Sequence, residues 1–441
     1  MRMGTFRFLI AVLAMAAGIA SAEPPLPQQS GANFLGVDTC GSSQCHGSPE
    51  AWRNATVLMR ERRIWEAHDP HARAWQTLHS ESGQRIANNL GLADAGKAPQ
   101  CLTCHATFVP EAQRGPAFDL NAGVGCESCH GAGGAFLRTH VQPTSTHAGN
   151  VAAGLYPTTD AAARARLCLS CHQGDAAHPV SHRLYGAGHP RLRFELDTYS
   201  VLQPYHFNPD ADYRRRKPVP THFALWAAGQ IEAARRLSQQ IRTAHGTGLF
   251  PEFAVYDCHG CHRSIPDDVP VRSGTQPGVP RLVDAPLLML RAVTAVIAPE
   301  LVATVEAQSA AVRAAIPDPG ALAGALARLD RTLEQLAARA AQHDARVNDG
   351  AEALARLAQA STAAAPLSFL QAEAAAMGLS TLLTAEQEAG RLTADAYVDA
   401  NAALDVVYAA LADEAAYQPS RLAAALVGFA AKLPYPMGAT P

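Results

Sequence analysis

Five short segments of this chain place two cysteines before a histidine. The first has the form C-x4-C-H and the other four have the form C-x-x-C-H, and together they use all ten cysteines of the 441 residues. Chance would give about 0.01 C-x-x-C-H matches in a chain of this composition, so the pattern reflects a chemical requirement. In chain order we call them motif 1 (Cys40, Cys45, His46), motif 2 (Cys101, Cys104, His105), motif 3 (Cys126, Cys129, His130), motif 4 (Cys168, Cys171, His172) and motif 5 (Cys258, Cys261, His262).

The C-x-x-C-H sequence is the attachment site of c-type haem. The two thiols add to the haem vinyl groups, and the adjacent imidazole becomes the proximal iron ligand. Disulfides and structural zinc are the alternatives. A disulfide needs no histidine after each pair, and zinc usually joins two cysteine pairs or a pair with H-x3-5-H. We therefore expect haem c at motifs 2 to 5 and five haems in total. Motif 1 has to loop out two extra residues, and a local disulfide is the alternative there.

The first 22 residues have the features of a secretory signal peptide. A basic start precedes the apolar run from Phe8 to Ala20, and the sequence Ala20-Ser21-Ala22 follows. We expect cleavage after Ala22. The apolar run is shorter than the ~20 residues that span a bilayer, so we expect no integral membrane span after cleavage. Because covalent haem attachment requires export, the motifs and the leader both indicate a periplasmic or extracellular protein.

The composition changes near residue 283. Residues 31–275 hold every cysteine and 17 of the 18 histidines, and they are rich in Gly and Pro. Short helices are expected at 50–67, 72–90, 161–170 and 221–244, and no alternating strand pattern is present. We predict a mainly α protein with little regular sheet. Its parts are a signal peptide (1–22), a multihaem cytochrome c domain (23–283) and an Ala/Leu-rich helical domain (284–441).

The helical domain shows the spacing of a bundle helix. Its leucines recur at alternating intervals of four and three residues, which predicts one apolar stripe on a helix. We expect a structural bundle that docks on the haem domain, with a partner-binding module as the alternative. His343 is expected on its surface. The leucines of the stripe are Leu322, Leu326, Leu329, Leu333 and Leu336.

A haem used for electron transfer usually has a second axial ligand, most often His or Met. Met59 is the one methionine within residues 31–275, whereas twelve histidines there lie outside the motif endings. Bis-histidine ligation and low potentials are therefore expected. The histidines favoured as distal ligands are His71, His140, His182, His189 and His206. We expect His147, His178, His245 and His259 not to serve, and His68 and His222 are undecided.

Several segments resemble the multihaem c-type cytochromes of the cytochrome c-554 type, also described as cytochrome c-552/4 domains. They are Asp69-Pro-His-Ala-Arg-Ala-Trp75, Cys101-Leu-Thr-Cys-His-Ala-Thr107, Gly123-Val-Gly-Cys-Glu-Ser-Cys-His-Gly131, Gly186-Ala-Gly-His-Pro-Arg-Leu-Arg-Phe-Glu195 and Tyr256-Asp-Cys-His-Gly-Cys-His262.

The resemblance implies closely spaced, mostly bis-histidine haems that pass electrons along a chain. It favours His71, His140 and His189 as distal ligands, followed by His182 and His206. Motif 5 departs from the family pattern, because Arg263 follows His262 where relatives have a second histidine. The resemblance therefore does not identify the sixth ligand of the haem at motif 5.

Three functions remain from the sequence. The first is an electron carrier between redox partner proteins, and the net charge of −3 without a basic stripe excludes nucleic acid as a partner. The second is a haem oxidoreductase acting on a small nitrogen or sulfur oxyanion at an open-site haem, where Tyr185, Arg191, His178 or His259 could serve. No Cys-x-x-Cys-Lys motif is present. The third is a subunit that the helical region docks on a partner.

Overall fold

The computed structural model describes residues 23–53, 57–175, 179–246, 251–262, 279–343, 348–364 and 366–434. The predicted signal peptide and His178 lie outside these residues. Among the described residues, no helix combines the length and the apolar character needed to cross a membrane.

The motif-bearing part of the chain consists of short helices joined by loops and 3-10 turns. The described residues hold no sheet there, and Phe34 with Arg114 and Tyr256 with Leu282 form isolated bridges. The helices are α1 (Val37–Cys40), α2 (Glu61–His68), α3 (Ala74–Thr77), α4 (Glu81–Leu90), α5 (Pro99–His105), α6 (Cys126–His130), α7 (Gly133–His140), α8 (His147–Ala152), α9 (Ala161–His172), α10 (His182–Gly186), α11 (Leu196–Leu202), α12 (Ala211–Arg216) and α13 (His222–Gly246).

Motifs 2, 3 and 4 each form the end of a helix. Helices α5, α6 and α9 all finish at the motif histidine, so the two cysteines and the imidazole project from one helical turn. Helix α6 stops because Gly131 adopts a φ of 90°, which L side chains rarely reach. A Cβ at this position would lie 2.8 Å from the Gly154 carbonyl oxygen, so only glycine fits.

Two of the four predicted helices in this part have different bounds from those expected. Residues 50–53 and 57–60 are not helical, and α2 begins only at Glu61. The predicted helix over 72–90 is divided into α3 and α4 by a turn at Leu78 to Ser80. The Ser80 hydroxyl accepts a hydrogen bond from the Gly83 N–H at 3.1 Å, and this cap starts a new helix.

The C-terminal part is a bundle of longer helices. The predicted leucine stripe lies on one face of a single helix, and its five leucines are at most 2% exposed. The mainly α fold expected from the sequence is thus confirmed. The helices are α14 (Ala285–Ile297), α15 (Val302–Ala315), α16 (Pro319–Gln342), α17 (Asp349–Ala363), α18 (Phe369–Glu388), α19 (Ala394–Ala409) and α20 (Pro419–Ala430).

Helix α13 links the two parts. It belongs by sequence to the motif-bearing region, yet Trp226, Ile231 and Leu237 are buried in the same apolar cluster as Leu290 and Leu329 of the bundle. On its other side α13 packs against α9, the helix of motif 4. The bundle therefore supports the motif-bearing region through a shared core.

The expectation for His343 was wrong. Its Nε2 atom lies 2.8 Å from Asp349 Oδ2, and only 17% of its side chain is exposed. His343 follows the end of α16 and so meets Asp349, the first residue of α17. A single histidine in a polar stretch gives no sequence signal for such a contact.

Candidate haem sites

Each motif histidine faces a second histidine from a distant part of the chain. The ring centroids of every pair are 5.9–6.4 Å apart. Within the described parts of the chain, contacts between two histidine rings occur in these pairs alone. The pairs are His46 with His140, His105 with His189, His130 with His206, His172 with His71, and His262 with His182.

The spacing matches two imidazoles on opposite sides of one metal ion. A metal–imidazole nitrogen bond is about 2 Å long, and the ring centre lies about 1 Å further out, so two axial imidazoles have centres roughly 6 Å apart. The histidines of this chain meet in twos, whereas a structural zinc site needs four ligands. The residues present therefore fit an iron held between two imidazoles.

The relative orientation of the rings divides the pairs into two groups. The ring planes of His46 and His140 meet at 23°, and those of His182 and His262 at 28°. The other three pairs are close to perpendicular, at 82°, 84° and 90°. This difference would give the two groups different electronic properties, because each imidazole interacts with the iron d orbitals along its own ring normal.

Hydrogen bonds at Nδ1 orient several of these rings. The Nδ1 atom of His46 lies 2.9 Å from Glu61 Oε2, and that of His71 lies 2.8 Å from Asp69 Oδ1. The Nδ1 atom of His105 lies 3.0 Å from the carbonyl oxygen of Ala74. These oxygens can only accept, so Nδ1 carries the hydrogen and Nε2 keeps its lone pair. A metal-ligating histidine requires this arrangement.

His189 is oriented by its own neighbour in the chain. Its Nδ1 atom lies 2.8 Å from the carbonyl oxygen of Pro190. The ring of His140 has a different partner, the side-chain amide of Asn150 at 3.4 Å.

Asp69 holds two parts of the site together. It is 3% exposed and accepts hydrogen bonds from the backbone and ring of His71 and from the Gln203 amide at 3.0 Å. Burial alone would raise the pKa of Asp69, but these hydrogen bonds outweigh it and lower the pKa to about 2. The carboxylate in turn raises the pKa of His71 against the effect of burial. The segment Asp69-Pro70-His71 thus holds the His71 ring next to the loop that leads to His206.

Burial keeps most of the other ligand candidates neutral. It lowers the pKa of His130 to about 3 and that of His172 to about 4. Burial also lowers the pKa of His105, His140 and His206. A neutral imidazole has a free lone pair, which is the form that binds a metal.

The histidines outside the pairs have other partners. His147 lies 3.1 Å from Thr159 Oγ1, and His245 lies 3.1 Å from the Tyr256 hydroxyl. His79 is exposed and packs on Trp75, with ring centroids 4.2 Å apart. His68 is exposed at the end of α2.

The remaining two histidines lie between carboxylates. His222 Nδ1 is 2.8 Å from Asp197 Oδ2, and its Nε2 is 3.0 Å from Glu388 Oε2. His259 lies between Asp257 and Glu414 at 3.6 and 3.7 Å. Both rings are engaged at each nitrogen, so neither has a free lone pair facing a motif.

Some residues of the sites have no signal in the sequence. Glu127, between the two cysteines of motif 3, is 4% exposed and accepts backbone N–H bonds from Leu35 at 2.8 Å, Gly36 at 2.7 Å and Gly133 at 2.7 Å. Phe194 stacks on the ring of His172, with centroids 4.4 Å apart. Glu127 and Phe194 act through tertiary contacts, which no local sequence pattern predicts.

The cysteines of different motifs lie near one another, and none of the ten forms a disulfide. The thiols of Cys104 and Cys171 are in hydrogen-bonding contact, and Cys171 Sγ also lies 3.8 Å from the carbonyl oxygen of Thr103. Cys40 is within electrostatic reach of Cys126. Cys129 in turn lies near Cys168 and Cys171.

Attachment motifs at helix ends on a mainly α frame define a c-type cytochrome, which binds haem c and has an electron-transfer or redox role. Residues 39–131 match the model of the family described as cytochrome c554 and c-prime. The chain therefore resembles this family over a segment that contains motifs 1, 2 and 3. The resemblance expected from the sequence is confirmed. No curated protein and no solved structure matches the chain.

Proposed function

We propose that the protein is an exported five-haem electron carrier in which every iron is held by two histidines. The proximal ligands are His46, His105, His130, His172 and His262. The distal ligands, in the same order, are His140, His189, His206, His71 and His182. The observation that carries the proposal is that each motif histidine faces one other imidazole at the spacing of two axial ligands. Bound haem supplies a one-electron iron couple at each pair.

The contacts between motifs support one order along the molecule. Cys40 neighbours Cys126, Cys129 neighbours Cys168, and Cys171 touches Cys104. This connects motifs 1, 3, 4 and 2 in that sequence. Electron transfer between haems requires neighbouring centres that lie close together. The contacts between motifs therefore favour a relay over isolated sites.

Motif 5 extends the same order from motif 2. Helix α10 begins at His182, which faces motif 5, and ends shortly before His189, which faces motif 2. Tyr185 of this helix is within electrostatic reach of Cys258. The proposed order of motifs is therefore 1, 3, 4, 2, 5.

The exposure of motif 5 suggests its place in the relay. Cys258, Cys261 and His262 are exposed, whereas the cysteines of the other motifs are partly buried. An exposed end is where electrons can leave to or arrive from a partner. We propose motif 5 as one terminus, and the redox partners meet the chain in the periplasm or outside the cell.

The haem number is tested by the intact mass of the purified holoprotein. Five covalent haems add ~3,080 Da to the mature chain, at ~616 Da each. A gain of four haems, with Cys40 and Cys45 joined as a disulfide, would remove motif 1 from the relay. The same spectrum locates the N-terminus and so tests cleavage after Ala22.

The oxidoreductase alternative needs an iron with an open position. The second imidazole opposite each motif histidine argues against one. Cyanide or nitric oxide added to the oxidised protein should leave its optical spectrum unchanged. Rapid binding of either ligand at one haem would favour the enzyme instead.

A further inference from the structure

An exposed apolar patch lies directly before the distal histidine of motif 3. Val201 and Leu202 at the end of α11 and Tyr205 in the next loop are 44%, 69% and 56% exposed. Three large apolar side chains within five residues make this a concentrated patch. Such patches on a protein surface mark interaction sites.

Basic side chains lie beside this patch on α12. Arg214, Arg215 and Arg216 are exposed in the last turn of that helix. Asp212 pairs with two of them, Arg215 at 2.7 Å and Arg216. Four cations and two carboxylates within residues 205–217 leave a local charge of +2, although the whole chain has a net charge of −3.

A continuous set of aromatic contacts connects the apolar patch to the basic side chains of α12. The ring of Tyr205 lies 5.4 Å from that of Phe207, which stacks on Tyr213 of α12 at 5.4 Å. Lys217 Nζ lies 4.8 Å from the centre of the Tyr213 ring. His206 is 5.8 Å from Phe207, so this surface directly adjoins a proposed iron ligand.

We propose that Val201, Leu202, Tyr205, Arg214, Arg215 and Arg216 form a docking face for a small acidic electron-transfer protein. The proposal rests on the relay proposed above and names the chemistry of one partner. Redox complexes have small interfaces, so an apolar centre with a charged margin is sufficient. The positive margin attracts an acidic partner over a distance and raises the association rate. The docking face adjoins motif 3, which is second in the proposed order, whereas motif 5 lies at one end of that order.

The probe is a reduced flavodoxin, an acidic one-electron donor, mixed with the oxidised holoprotein in a stopped-flow instrument. The second-order rate should fall steeply as ionic strength rises. A variant with Arg214→Gln, Arg215→Gln and Arg216→Gln should react at least ~10-fold more slowly at low salt and lose most of the salt dependence.

The matched control removes the same charge from the bundle. Arg328→Gln, Arg331→Gln and Arg421→Gln change exposed side chains far from the motifs in sequence. At an ionic strength of about 0.1 M this control should stay within about twofold of the wild type, because screening there limits the reach of each charge to ~10 Å.

Three outcomes would overturn the docking face. The first is equal rates in the docking-face variant and the control, and the second is a rate that increases with salt. The third is a variant with fewer haems but an unchanged rate per haem, which would assign the arginines to the haem propionates. Reduction by dithionite is measured alongside. If dithionite fails to reduce the wild type, the relay itself is wrong, whereas normal reduction with no effect of the variant refutes the docking face alone.

Discussion

His182 and His262 form the most exposed of the imidazole pairs. By contrast, His130 lies deep enough that burial lowers its pKa to about 3. An exposed pair can lose one ligand without leaving a large cavity in the core. The motif 5 pair is therefore the best place to test ligation one residue at a time.

Replacing His182 by alanine should leave one iron with a single imidazole. We expect one haem to become high-spin and to bind carbon monoxide when reduced, while the haem count is unchanged. The control is His79→Ala, which removes an equally exposed histidine that packs on Trp75. An unaltered spectrum in His182→Ala would show that another group is the sixth ligand of motif 5.

Glu127 connects motif 3 to the chain segment before motif 1. Its carboxylate accepts three backbone N–H bonds, so Glu127→Gln would turn an amide donor toward at least one of these donors. We expect a loss of about 1–3 kcal/mol in the free energy of unfolding, because a buried group loses its partner. Thermal unfolding of the holoprotein measures this.

The control for Glu127 is Glu50→Gln, which makes the same chemical change at an exposed position. It should shift the melting temperature little. Equal effects of the two substitutions would mean that the Glu127 hydrogen bonds contribute nothing to stability.

At the scale of helices, His222 joins three elements. It begins α13 and lies between Asp197 of α11 and Glu388 of α18. The hydrogen bond that His222 donates to Asp197 is the main cause that raises the pKa of His222 from 6.5 to about 9, against the opposing effect of burial. The protonated ring thus ties the motif-bearing part to the bundle.

The raised pKa sets the direction of a pH effect on stability. The contribution is fully present below pH 6.5, where folded and unfolded chains are both protonated, and it is lost as the pH rises through about 9. We expect the free energy of unfolding to fall by about 2 kcal/mol across this range, after allowance for partial exposure. Denaturant titrations at several pH values measure it.

His222→Gln provides the comparison for the pH effect. This variant cannot titrate, so its stability should change less between pH 6.5 and 9 than that of the wild type. Parallel pH profiles for the two proteins would show that His222 is not the group responsible.

The helices also show what the sequence can predict. The stripe from Leu322 to Leu336 predicts a buried face because its period is local to one helix. The division of the predicted helix at Ser80 and the late start of α2 at Glu61 depend on caps and neighbouring segments, and helical spacing alone does not predict them.

The motif histidines and their partner histidines also differ in how far the sequence predicts them. A motif histidine is marked by the pair of cysteines just before it in the chain. The five partner candidates could be selected from local context and family resemblance, but which motif each one faces depends on how distant segments cross. His71 precedes motif 4 by about a hundred residues, and Glu61 reaches His46 only because α2 folds back on motif 1.

For the whole molecule, the histidine pairs and the bundle have different roles. The pairs cross the motif-bearing part, where apolar clusters are small, and bind segments together. The large continuous core lies in the bundle and extends through α13 to motif 4. The bundle is thus a rigid support on one side of the proposed relay.

The central claim is that all five irons lie between two imidazoles in the orientations seen here. Perpendicular imidazole planes leave two iron d orbitals nearly equal in energy and give a strongly anisotropic low-spin signal, whereas parallel planes give a rhombic one. Quantitative low-temperature EPR of the oxidised holoprotein should therefore show only low-spin iron, with two rhombic haems and three strongly anisotropic haems. A high-spin signal equal to one or more haems would contradict the account.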